Sequence, residues 1–136
     1  MNIVRIIAAF LIVLTSIGVL DAQGDLAKVL VGKWEGQLDV SGLTGVGFPP
    51  ERTLIIESVR GESGEWAVEA KFGVTGRRLV PVNVGVETVG SEIILRFVTA
   101  ENARVKLTLL KEKYLDGQVE RSDFRRPIPI RLEKGK

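Results

Sequence analysis

The sequence predicts an all-β domain, a single antiparallel up-and-down barrel of about eight strands. From Lys33 onward, apolar and polar residues alternate with a period of two, which is typical of half-buried strands. These segments recur about every 8–12 residues with short turn sequences between them. No amphipathic stretch is long enough to cover a sheet as a helix, so the sheet must bury its apolar face against itself, and closure also removes exposed edges. A β-sandwich is the alternative, because alternation does not decide whether the sheet closes.

The N-terminal segment has the pattern of a secretory signal peptide over residues 1–24. A short positively charged start precedes Ile6–Leu20, a run without any charge that is shorter than the roughly 20 apolar residues of a spanning helix. The small residues Ala22 and Gly24 predict cleavage after one or the other. The barrel domain is then 25–136, and we expect it to be exported to the periplasm or the extracellular space without a stable membrane anchor.

The elements follow in order along the predicted domain. Asp25–Val31 suits a single helical turn with Asp25 as its cap. The first strand is Lys33–Val40, in which Trp34 and Leu38 share one face and charged residues the other. The same alternation predicts seven further strands, at Arg52–Val59, Glu65–Phe72, Val80–Glu87, Ser91–Val98, Arg104–Leu110, Tyr114–Arg121 and Ile128–Glu133.

Trp34 and Gly36 are expected to have structural roles at the start of the first strand. A large aromatic in this position suits a plug at the closed end of a small barrel, and Gly36 would let a neighbouring strand pass closely. The residues expected to point inward are Trp34, Leu38, Trp66, Val68, Phe72, Val84, Leu95, Phe97, Leu107 and Leu109.

The composition excludes most catalytic chemistry. The 136 residues include no His and no Cys, which removes Ser-His-Asp triads, cysteine nucleophiles and the usual zinc sites. The remaining carboxylate pairs, Glu35 with Asp39 and Glu65 with Glu69, lie on predicted outward faces where water is not excluded. We therefore predict a protein that is not an enzyme, with no catalytic residue, no metal site and no cofactor.

Two short motifs resemble those of a known family. Val31–Leu38 contains a G-x-W at the start of the first strand and reads W-x-G-x-L, and Gly117–Val119 with Pro129–Leu132 matches a G-x-V and P-[IV]-x-L ending. The chain is similar in these segments to calycin-type barrels, the lipocalins, and to small exported lipocalin-like modules. This resemblance implies a closed antiparallel barrel with a ligand in its mouth.

The candidate ligand contacts are the apolar residues of a long glycine-rich loop together with two inward aromatics: Leu43, Val46, Phe48, Trp66 and Phe72. Capping of the core is an equal alternative for the loop residues, and packing in the core is the preferred interpretation of the aromatics. The leading hypothesis is a non-enzymatic binding module for a small apolar or amphipathic ligand. The alternative is a solid barrel that docks on an unidentified protein partner.

Arginines form local basic spots at Arg77–Arg78 and at Arg121, Arg125, Arg126 and Arg131. We expect these arginines to form a solvated rim and to pair with Glu120 and Asp123. Nucleic-acid binding is not expected, because only 6% of the residues are aromatic and no stacking platform is recognisable. If the arginines converge, the sequence favours contact with an anionic lipid, a polysaccharide or a carboxylate-bearing ligand.

Overall fold

The computed structural model describes residues 26–42, 49–62 and 65–135. The predicted signal peptide, the cap Asp25 and the loop residues Leu43, Val46 and Phe48 lie outside these residues. The described chain begins with helix α1 (residues 26–30) and contains a short 3₁₀ helix (Val40–Gly42). Its strands are β1 (Gly32–Leu38), β2 (Glu51–Glu62), β3 (Glu65–Val74), β4 (Val80–Val89), β5 (Glu92–Val98), β6 (Arg104–Leu110), β7 (Tyr114–Glu120) and β8 (Ile128–Lys134).

The strands form one closed antiparallel barrel. Each strand pairs with the next along the chain, and β1 also pairs with β8, with Gly36 opposite Leu132. The predicted up-and-down barrel is therefore confirmed, and the sandwich alternative is wrong. The predicted strand positions agree with the observed ones to within a few residues, because short turns leave each alternating segment little freedom to shift.

β2 is longer than predicted and changes its inward face part-way. Leu54 and Ile56 are buried, and a bulge between Ile56 and Ser58 then makes Val59 the next buried residue. A bulge inserts one extra residue into the strand, so the parity of the inward positions switches there. The alternation of apolar and polar residues alone does not predict this change of the inward face.

The barrel is filled with side chains through its middle. Trp34, Leu54, Leu95, Leu107 and Leu132 are completely buried. Of the residues predicted to point inward, all are buried except Trp66 and Leu109, which are partly buried against the same core. An eight-stranded barrel is just wide enough for side chains to fill it. Free space is therefore expected at the ends of the barrel rather than along its axis.

Helix α1 and Trp34 close one end, which we call the closed end. The Trp34 indole N–H donates a hydrogen bond of 2.9 Å to the Leu30 carbonyl. The Lys134 ammonium donates to the carbonyl oxygens of Lys28 and Val29 and lies 5.7 Å from the Trp34 ring centroid. The predicted plug role of Trp34 is confirmed, and this residue connects the helix to the barrel wall.

The outer surface carries scattered ion pairs. Glu35 lies 3.6 Å from the Lys33 ammonium, and Glu69 lies 2.7 Å from the Arg60 guanidinium. These carboxylates, with Asp39 and Glu65, are exposed as predicted. Exposed pairs of this kind contribute about 0–1 kcal/mol each, so the fold depends on its core.

Candidate functional site

A cavity of about 220 Å³ lies at the end of the barrel opposite α1, and we call it the mouth cavity. It is bounded by the ends of β1, β3 and β7, the starts of β2 and β4, and the connections that follow β3, β5 and β7. Its buried apolar wall consists of Leu38, Phe72, Val82, Ala103 and Val119. The cavity is therefore an apolar recess above a filled core.

Phe72 lines the mouth cavity and packs against Phe97 within the core. Both rings are buried, and their centroids lie 5.0 Å apart with the planes at 64°. Edge-on aromatic pairs of this geometry are favourable and restrict ring motion. The Phe72 part of the cavity wall is therefore supported by packing against the core.

Arg52 places a buried guanidinium at the edge of the mouth cavity. It follows the inward parity of Leu54 and Ile56 at the start of β2, and only 7% of its surface is exposed. Its Nη1 donates hydrogen bonds to the carbonyl oxygens of Pro49 at 2.5 Å and Glu51 at 3.0 Å. Burial lowers the pKa of Arg52, which the carboxylates of Glu101 and Glu51 partly oppose. A cation with so little water around it interacts strongly with any anion that reaches it.

Arg121 also lies at the rim of the mouth cavity, where two acidic side chains bind it. Its Nε and Nη2 donate to the two carboxylate oxygens of Asp123 at 2.5 and 2.6 Å, and Glu101 lies 3.5 Å away. The guanidinium carbon lies 4.6 Å from the Phe124 ring centroid. The hydrogen bonds with Asp123 raise the pKa of Arg121 and lower the pKa of Asp123. The predicted pairing of Arg121 with Asp123 is confirmed.

The charges around the cavity are mostly positive. Among the described lining residues, Glu101 has the carboxylate. Four arginines also line the cavity: Arg52, Arg77, Arg78 and Arg121. Arg77, Arg78 and Arg121 thus converge on one site, which is the condition under which the sequence favoured an anionic ligand. Arg125, Arg126 and Arg131 do not line the mouth cavity.

Comparisons with known proteins identify no relative of this chain. No protein-family model matches the chain, and no curated protein or solved structure matches it significantly.

The predicted contact residues do not all meet at this site. Phe72 lines the mouth cavity, whereas Trp66 lines a separate cavity of about 450 Å³ near α1, beside Leu26 and Val29. The two aromatics share one face of β3 but are six residues apart, which corresponds to about 20 Å along a strand. The structure therefore does not bring Trp66 together with Phe72. The roles of Leu43, Val46 and Phe48 stay predictions.

Arg52 is the lining residue that the sequence reasoning missed. The sequence places Arg52 at the start of a predicted strand, where a charged residue two positions before Leu54 lies on the apolar face. An inward-facing charge at a strand end was thus a detectable signal.

Within the described ranges, no group of three or more acidic residues is placed to hold a metal ion. The helices of these ranges are all too short or too polar to cross a membrane.

Proposed function

We propose that this protein is an exported, non-enzymatic binding module whose mouth cavity holds a small amphipathic ligand with an anionic group. The observation that carries the proposal is the combination of a buried apolar wall with four arginines around one cavity. The apolar part of the ligand would pack against Phe72 and Val82. Its anionic group would face Arg52 and Arg77, whose guanidinium groups can form charge-assisted hydrogen bonds.

The size of the cavity limits the ligand. An apolar cavity of about 150 Å³ accommodates benzene. The 220 Å³ of the mouth cavity therefore suits one ring with a short acidic arm, or a short acyl chain. Because side chains fill the middle of the barrel, a long lipid chain has no room along its axis. Short carboxylic acids are the ligand class that this combination of volume and charge favours.

The barrel supports a lipocalin-like relationship as part of the same proposal. A closed antiparallel barrel is what the W-x-G-x-L and P-[IV]-x-L resemblance implied. The proposal includes export to the periplasm or outside the cell, which the signal-peptide pattern of residues 1–24 supports.

Export predicts a defined processing site. When the complete chain is expressed in a bacterial host that can secrete it, the exported protein should begin at Gln23 or Asp25, the residues after Ala22 and Gly24. N-terminal sequencing and intact mass of the exported fraction measure this directly. A protein that keeps Met1 and stays with the membrane fraction would contradict both the cleavage and the export proposal.

Ligand binding is best tested with a matched pair of probes. We expect octanoate to bind more tightly than 1-octanol in calorimetric titrations, because only the carboxylate can contact the arginines. Replacing Arg52 with methionine removes the guanidinium while keeping an apolar side chain in the wall. It should weaken octanoate binding about tenfold, the usual order for one lost charge-assisted bond, and leave octanol binding almost unchanged.

Arg131→Met is the matched control for this experiment. Arg131 is an exposed arginine on β8 that lies 3.4 Å from Asp116 and 5.1 Å from the Tyr114 ring, away from the mouth cavity. Octanoate binding should be the same in this variant as in the parent protein. Equal binding of the two probes, or equal loss in the two variants, would contradict the proposed role of the arginines.

The filled middle of the barrel favours a second candidate function, a solid domain that docks on a protein partner. Under this alternative the mouth cavity has no ligand of its own. An absence of calorimetric signal from short acids and alcohols, with the fold intact, would favour this second function.

A further inference from the structure

The wall of the barrel is incompletely paired between β4 and β5. The β4–β5 ladder includes only Gly85–Val89 on β4, beginning with Gly85 opposite Arg96. The other half of β4, Val80–Val84, pairs with β3 along one edge. Among the described residues, no strand pairs with the other edge of this half-strand. The barrel is therefore closed around its circumference but has a free strand edge near its mouth.

A groove of about 740 Å³ lies along this edge, and we call it the outer groove. Pro81 and Asn83 of β4 form one side of it, and Arg96 and Val98 of β5 form the other. These four residues are exposed, and they alternate with the buried residues Val82 and Phe97 that face the core. The exposed side chains of the groove therefore point away from the barrel interior, and the groove adjoins the mouth cavity at Val82, Thr99 and Ala100.

A free strand edge presents backbone N–H and C=O groups that an extended peptide can pair with. Pro81 contributes a carbonyl but no N–H, so complete pairing along the half-strand is not expected. Val98, which lines the groove, is 53% exposed and leaves apolar surface beside the free edge. An added strand would cover both the edge and part of this apolar surface.

The positive charge of the groove favours an acidic segment over other extended partners. Arg96, Arg104 and Lys106 line it, and Glu120 is the carboxylate among its described lining residues. Arg96 lies 3.4 Å from Glu87, and Arg104 lies 3.4 Å from Glu120, with all four side chains substantially exposed. Exposed ion pairs exchange partners at little cost in free energy. A second copy of this chain would bring the same three cations against themselves, whereas a segment rich in carboxylates would be attracted.

We propose that the outer groove binds an extended acidic peptide segment of a partner protein. The segment adds a strand to the free edge of Val80–Val84. Its carboxylates, at every second position, lie beside Arg96, Arg104 and Lys106, because alternate side chains of a strand point to the same face. This interaction does not depend on a ligand in the mouth cavity.

The proposal can be tested with capped peptides and the mature chain labelled with ¹⁵N. A peptide of alternating Glu and Thr residues should shift the amide signals of Val82, Asn83 and Val98 at low ionic strength. The same peptide with Gln in place of Glu tests the charges. A version with N-methyl groups on alternate backbone amides tests strand addition, since it cannot donate the pairing hydrogen bonds. Both altered peptides should bind about tenfold more weakly or not at all.

Variants of the chain locate the charges that matter. Arg96→Glu and Lys106→Glu should each weaken binding of the Glu-Thr peptide severalfold. Arg131→Glu is the matched control, because Arg131 also lies 3.4 Å from a carboxylate and is exposed to a similar extent, 58% against 55% for Arg96. The amide spectrum of each variant shows directly whether it is folded.

Four results would overturn the proposal: no amide shifts with the Glu-Thr peptide, shifts away from the outer groove, equal binding of the N-methylated peptide, or equal effects of Arg131→Glu and Arg96→Glu. Octanoate titrations on the same samples report the mouth cavity separately. Failure of the peptide and failure of the ligand proposal are therefore distinguishable.

Discussion

Replacing Gly36 with alanine should strongly destabilise the barrel, more than the addition of a methyl group at any other position of β1. A β-carbon at Gly36 would overlap the carbonyl group of Arg131 and lie 2.8 Å from the Cα atom of Leu132 on β8. These are backbone atoms, so no side-chain rotation relieves the contact, and the β1–β8 ladder that closes the barrel must move apart. We expect a loss of about 3 kcal/mol or more, the upper part of the range for overpacking, measured by urea unfolding.

Gly85→Ala is the matched control within the same barrel. Gly85 lies in the middle of β4, and a β-carbon there would be 3.8 Å from the Arg96 carbonyl oxygen, an ordinary contact distance. Since glycine in a strand costs conformational entropy, this alanine should be neutral or stabilising by up to about 1 kcal/mol. Equal effects of the two substitutions on stability would contradict the claim that barrel closure requires a glycine at position 36.

Trp34→Ala should cost about 3–5 kcal/mol, a large part of the total stability of a small domain. The side chain is completely buried, its indole N–H bonds to the Leu30 carbonyl, and the Lys134 ammonium packs against its ring. Truncation leaves a cavity between the helix and the barrel, and the buried Leu30 carbonyl loses a donor. Unfolding should remain cooperative, with a midpoint far below that of the parent protein, and hydrogen exchange of α1 should increase most.

Trp66→Ala makes the comparison specific. Trp66 is also near the closed end, but it is only partly buried, and its indole nitrogen has no hydrogen-bond partner among the described residues. The same truncation should therefore cost clearly less than at Trp34, because less contact area and no hydrogen bond are lost. Equal losses in the two variants would contradict the assignment of Trp34 as the plug of this end.

Much of the architecture could be predicted from local pattern. Alternation located the strands, and inward positions such as Leu95 and Leu107 followed directly, because successive side chains of a strand point to opposite faces. The close approach at Gly36 was also expected, since a glycine two residues after a large aromatic at the start of a strand suits a tight crossing. These properties depend on a few neighbouring residues, so they can be predicted without the tertiary structure.

The site could be predicted only in part. Phe72 was among the expected contacts. The sequence favoured an anionic contact if the arginines converge, but it did not predict that Arg77, Arg78 and Arg121 meet at one cavity. The inward placement of Arg52 follows the parity of β2, whereas its interactions with the Pro49 carbonyl and with Glu101 depend on how separate segments of the chain meet. Grouping Trp66 with Phe72 followed from shared parity, which says nothing about position along the barrel axis.

The tertiary structure alone decided where the barrel closes and where its wall stays unpaired. The bulge after Ile56 switches the inward face of β2, and β4 exchanges pairing with β3 for pairing with β5 at Gly85. Both features depend on the relative register of separate strands. Register is a balance of cross-strand packing and closure around the whole barrel, so it is not encoded in the alternation of any one segment.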